Sequence, residues 1–138
     1  MDKTKITIEA QVAAPVKKVW DYYNQPQHII GWNFAHESWQ CPSAENDLRP
    51  GGKLKSRMEA RDGSFGFDFE ATYDEVADLK RIVYTIADGR RVETDFTDVE
   101  GNTRIVTVFE AESQNPVEMQ KGGWQAILDN FKKYTEAN

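Results

Sequence analysis

Residues 52–111 read almost entirely as short alternating strands, and a single long apolar-striped helix follows them. Leu54, Ser56, Met58 and Ala60 alternate with Lys53, Lys55, Arg57 and Glu59. Phe65, Phe67, Phe69, Ala71 and Tyr73 alternate with Gly66, Asp68, Glu70, Thr72 and Asp74. Alternation of this kind marks half-buried strands with one apolar and one charged face. Arg61-Asp62-Gly63-Ser64, Asp88-Gly89 and Glu100-Gly101-Asn102 supply the turns, so the run reads as an antiparallel meander. Residues 81–87 form a third strand, and Val92, Thr94 and Phe96 share one face of a fourth. In the last, 103–111, Ile105 and Val106 are both apolar, as are Val108 and Phe109, which leaves the inward face undecided.

After Asn115-Pro116, Val117, Gln120, Trp124, Ile127, Phe131 and Tyr134 recur at helical spacing. That is one face of a helix of about 20 residues and ~30 Å. Gly122-Gly123 lies inside it, at a propensity cost of about 1–2 kcal/mol. At the other end, Ile6, Ile8, Ala10 and Val12 form one face of a strand over 5–12. Val16, Val19, Trp20 and Tyr23 follow Pro15 as a helical stripe. Asn24 and Pro26 break that helix, and a second short one carries His28, Ile29, Ile30 and Trp32. Residues 33–52 are irregular, rich in aromatics, and close on the turn Asp47-Leu48-Arg49-Pro50-Gly51-Gly52.

This order predicts an α+β fold: a curved antiparallel sheet of about six to seven strands around a long C-terminal helix, with two short helices after strand 1. The 138 residues are expected to form one domain, 1–138. Aromatics are 12% of the chain although apolar residues as a whole are only 39%. A sheet with one wet face accounts for the second figure, and an enclosed, ring-rich interior for the first. The net charge of −6 argues against general nucleic-acid binding. No apolar run is long enough for membrane insertion, and the N-terminal residues lack a signal-peptide pattern. The single cysteine, Cys41, rules out an internal disulfide. A cytoplasmic monomer without a cofactor is the expectation.

Four segments carry a resemblance. Ala14-Pro15-Val16 with Val19-Trp20-Asp21, then Pro26-x-His28-x-x-x-Trp32, then 47–52, then Gly123-Trp124 with Ile127-Leu128 and Phe131 resemble the START/birch-pollen-allergen (SRPBCC) superfamily. The chain looks most like the branch of homologues of the heat-shock protein 90 ATPase activator. The resemblance covers about residues 3–137 and implies a helix-grip fold, usually with a cavity for an apolar or amphipathic ligand. It also implies two other roles: a co-chaperone-like module with a chaperone partner, or an enzyme such as a cyclase, dehydratase or hydrolase of a hydrophobic molecule. The eukaryotic activators carry an extra N-terminal domain, and no counterpart of it is expected in this sequence.

The strand phases and the helix stripe point Leu54, Met58, Phe67, Phe69, Tyr73, Tyr84, Val92, Phe96, Trp124, Ile127, Leu128 and Phe131 inward. Ser56 and Thr94 would add polar groups among them, and Gly123 a place left unfilled. Trp32, Phe34 and Trp39 are expected at the lip, with the opening near residues 28–39. A small hydrophobic or amphipathic molecule is thus the expected partner. His28, His36, Glu37 and Cys41 lack the spacing of a zinc site, and neither His has a visible triad partner. Asp68, Glu70, Glu59 and Asp95 fall on solvated strand faces. Catalytic and metal residues are therefore not expected.

Overall fold

The alternation in Lys5–Val12 becomes strand β1, with Ile6, Ile8 and Val12 buried. Pro15, with φ −67°, caps helix α1 (Val16–Asn24), whose buried face holds Val19, Trp20 and Asn24. Pro26 opens the one-turn α2 (Pro26–Ile29). Then come strands β2 (Trp39–Asn46), β3 (Lys53–Ala60), β4 (Gly66–Ala77), β5 (Arg81–Ile86), β6 (Arg91–Val99) and β7 (Asn102–Glu110), and helix α3 (Val117–Ala137). The computed structural model describes residues 4–138.

The seven strands form one antiparallel sheet in the order β1-β7-β6-β5-β4-β3-β2, curled as a half-barrel around α3. The meander puts sequential strands side by side, and β1 closes onto the last of them. Helix α3 runs along β1, where Gln125 Nε2 donates to the Glu9 carbonyl at 3.0 Å and Glu136 accepts from Ala13 N–H at 2.8 Å. Side chains thus occupy part of an edge that would otherwise invite another strand.

Pairing resolves the ambiguous face of β7. Phe109 lies opposite Val92, Thr107 opposite Thr94 and Ile105 opposite Phe96, so Thr103, Ile105, Thr107 and Phe109 point inward and are buried. Val106 and Val108 stay half-buried on the outer face. Bulges between Gln40 and Ser43 in β2, and between Tyr73 and Glu75 in β4, shift the inward phase.

At the β3–β4 hairpin the aromatic face of β4 runs on into solvent. Phe65 is 61% exposed, and Phe67, which keeps the inward phase and borders the cavity, is 43% exposed. The helix stripe needs one change. Val117 is exposed, while Leu128 and Thr135 are buried alongside Gln120 and Phe131. The 47–52 loop is structural: Asp47 and Arg49 pair at 2.9 Å, and Gly51 N–H donates to the Tyr73 carbonyl at 2.8 Å. A Cβ at Gly52 would collide with the Asp47 carbonyl.

Candidate functional site

The concave face of the sheet and α3 enclose a cavity of about 270 Å³. This approaches the ~300 Å³ lower end of ligand pockets. It is nearly twice the ~150 Å³ of an engineered cavity that holds benzene.

The strand phases explain its walls. β3 contributes Leu54, Ser56 and Met58, β4 contributes Phe67, Phe69 and Tyr73, and β5 contributes Ile82 and Tyr84. The roof is Trp124, Ile127 and Leu128 of α3. Ile29, Trp32 and Asn33 close the side where α2 packs. Wall residues Ser56, Ile82 and Tyr84 are buried, whereas Phe67 is exposed and Phe69, Trp124 and Ile127 are half-buried. The cavity therefore opens between β4 and α3, with Asn33 the half-buried lining residue of the 28–39 segment.

Eleven of the residues singled out in the sequence line this space: Trp32, Leu54, Ser56, Met58, Phe67, Phe69, Tyr73, Tyr84, Trp124, Ile127 and Leu128. Others lie elsewhere. Phe96 and Phe131 pack solidly with Trp20, Tyr23 and Trp32, through ring centroids 4.9–5.3 Å apart, mostly edge to face. The Thr94 hydroxyl is taken by Thr107 Oγ1 at 3.0 Å. Phe34 lies under the Arg61 guanidinium, 5.9 Å from its ring centre. Trp39 meets Phe65 and Phe67 at the hairpin end. Gly123 is outside the lining too, although a Cβ there would meet nothing within 4 Å.

The lip is pinned rather than loose. Trp32 Nε1 donates to the Tyr22 carbonyl at 3.0 Å, and Asn130 Nδ2 donates to the Trp32 carbonyl at 2.9 Å. His28 stacks on Tyr22 and hydrogen-bonds the Tyr134 hydroxyl at 2.9 Å. His36 is bonded to Ser38 Oγ in an exposed turn. Both histidines serve local structure.

The polar lining divides into satisfied and unsatisfied groups. Tyr73 donates to Asn46 Oδ1 at 2.6 Å, and Asn46 Nδ2 donates to the Asn24 carbonyl at 2.7 Å. By contrast Ser56 Oγ, on a residue 1% exposed, has no hydrogen-bond partner. Its neighbour is the Cys41 thiol, whose titration feels both Asn33 and Ser56, and sulfur is a weak substitute for oxygen. The Tyr84 hydroxyl also lacks a hydrogen-bonding partner among the described residues. Burial pushes the Tyr84 and Tyr73 phenols well above their ordinary value of 10.0, so at neutral pH both are donors and not bases. Burial likewise raises the Cys41 thiol, which disfavours the nucleophilic thiolate. Among the described residues no Asp, Glu or His lines the cavity, and no three His, Cys, Asp or Glu side chains are grouped to hold a metal ion. The arrangement suits binding: an apolar space with a few neutral hydrogen-bonding groups.

Sequence reasoning missed Arg90, which also lines the cavity. Its signal is available, since Arg90, just before β6, continues the inward phase of Val92, Thr94 and Phe96 by one step. Asn24, Asn33 and Asn46 escape such reasoning because irregular segments and helix ends give no phase to read, and Tyr23 because its helical stripe reads as core alone.

The family model for Activator of Hsp90 ATPase homolog 1-like protein matches residues 13–136. The solution structure of an AHSA1-like protein of Aeromonas hydrophila is 40% identical, with TM-score 0.92 over 97% of this chain and 93% of that one. A Cytophaga hutchinsonii protein is 49% identical, with TM-score 0.83 over 97% and 93%. A Nitrosomonas europaea protein at 19% identity shares the fold, with TM-score 0.83 over 96% and 94%. No protein with a curated description matches. On the matched length and the shared helix-grip architecture, the chain belongs to the Activator of Hsp90 ATPase homolog 1-like family of the START (SRPBCC) superfamily.

Proposed function

We propose that this protein binds a small apolar or amphipathic molecule in the cavity between the sheet and α3. One observation carries the reading: a mostly apolar space of about 270 Å³ sits beside a buried hydroxyl, Ser56 Oγ, that has no partner. Leaving such a group unpaired costs roughly 1–3 kcal/mol, and a ligand that hydrogen-bonds it recovers much of that. The rings supply area and the hydroxyls orientation. Titration with 4-phenyl-1-butanol, followed by amide shifts, tests this. Saturable shifts at Ser56, Tyr84 and Ile127 are expected, and unchanged spectra would refute the reading.

A second reading, a co-chaperone-like interaction module, is favoured by the family's description and by one surface feature. Phe65 and Phe67 are exposed and touch each other and Trp39 at the β3–β4 end. Stimulation of an Hsp90-type chaperone ATPase, lost on Phe65→Ser, is the expected result. Absence of stimulation removes this reading without affecting the first.

A further inference from the structure

Arg90 is the one charged residue among the described residues that line the cavity. It follows the β5–β6 turn, and its carbonyl accepts from Ile86 N–H at 2.8 Å, which fixes the hairpin. Its inward phase brings the guanidinium close enough to Tyr84 to oppose the effect of burial on that phenol.

The guanidinium is only partly engaged. Nε donates to Asp88 Oδ2 at 2.8 Å, and Nη1 reaches the Glu110 carbonyl at a long 3.5 Å. Nη2 has no hydrogen-bond partner among the described residues. The Arg90 side chain is 22% exposed and that of Asp88 51% exposed, so their ion pair is a weak surface one. An arginine has five N–H donors in a planar fork that matches a carboxylate. Placed at the edge of an apolar cavity, beside a neutral phenol donor, that fork is a receiver for an acidic head group.

Resting on the binding reading above, we infer that the cavity selects a small amphipathic carboxylic acid. Its carboxylate pairs with Arg90 and the Tyr84 hydroxyl, and its apolar body lies between β3–β4 and α3. The cavity is nearly twice the volume of one that holds benzene, ~150 Å³, room for a phenylalkyl or medium-chain acid. Tyr84 is well suited because its raised pKa keeps it a donor.

The test compares 4-phenylbutyrate with 4-phenyl-1-butanol, which share a body and differ in head group, by amide-shift titration at pH 7.5 and low salt. The protein should hold the acid about 10–100-fold more tightly, as a charge-assisted hydrogen-bond pair confers. Arg90→Gln should cancel that preference, so that the variant holds acid and alcohol with equal affinity. Arg90→Lys, which keeps the charge without the fork, should retain part of it. Asp88→Asn, which removes the competing carboxylate, should raise acid affinity a few-fold. Dispersed amide spectra of each variant certify folding. Equal affinity for acid and alcohol, or a preference that survives Arg90→Gln, would overturn the inference and leave the binding reading standing. Binding of neither compound would defeat both.

Discussion

The two ends of the interior use the same residue types in opposite ways. At the α1 end, Trp20, Tyr23, Trp32, Phe96 and Phe131 pack in mutual ring contacts, and Phe131 has no exposed surface. Each such pair adds about 0.5–1.5 kcal/mol beyond burial. At the β4–α3 end, Phe67, Phe69, Tyr84 and Trp124 surround space. Trp124 stacks on Phe109 at 4.1 Å, and Phe69 and Tyr84 meet edge to face at 6.2 Å, but Ser56 fills little volume between them. Ring content therefore does not decide whether an interior is solid. What decides it is whether helices cover both ends and whether a large side chain occupies each inward position.

The largest effect should separate these ends directly. Phe131→Ala should cost about 3–5 kcal/mol, as buried aromatic truncations do, whereas Phe67→Ala at the open end should cost under about 1 kcal/mol. Urea midpoints measure both, and equal losses would mean the open end is packed like the closed one. Next, Gly52→Ala should cost about 1–3 kcal/mol, the usual range for overpacking, because its Cβ meets the Asp47 carbonyl. A neutral result in thermal unfolding would show that the loop has room to shift.

Ser56→Ala should raise stability by about 1 kcal/mol, since it removes an unsatisfied buried hydroxyl, while weakening the binding of 4-phenyl-1-butanol. Reduced stability in the urea midpoint would mean that the Cys41 thiol satisfies the hydroxyl. Gly123→Ala should add up to about 1 kcal/mol, because its Cβ meets nothing within 4 Å and helix propensity improves.

The smallest effect is silent at neutral pH. Tyr73 and Tyr84 have folded pKa values raised above 10.0. Their neutral forms therefore contribute stability that is complete below pH 10 and is lost as pH rises from there through the folded values. Tyrosinate absorbance should show these phenols ionising only as the protein unfolds. Ionisation near pH 10 in the folded protein would place them in water.

The fold was legible because alternation and helical spacing speak directly to which face is buried. β3, β6 and α3 could be phased residue by residue, and Leu54, Ser56 and Met58 line the cavity as their phase implies. Phase says nothing about how much of a face is covered, so Phe67 reads as interior although it is 43% exposed. Nor does it separate a lining ring from a packing ring. Phe96 and Phe69 look alike in sequence, and only the third dimension brings Trp20 and Tyr23 against the first. Arg90 was hidden for a different reason: a charged residue beside a turn reads as solvated unless the strand's phase is carried one step further back.

An amide-shift titration with 4-phenyl-1-butanol tests the contrast between the ends most directly. Saturable shifts are expected at Ser56, Tyr84 and Ile127, with Val19 and Phe96 unmoved. Shifts confined to the exposed Phe65, or spread evenly through both ends, would contradict it.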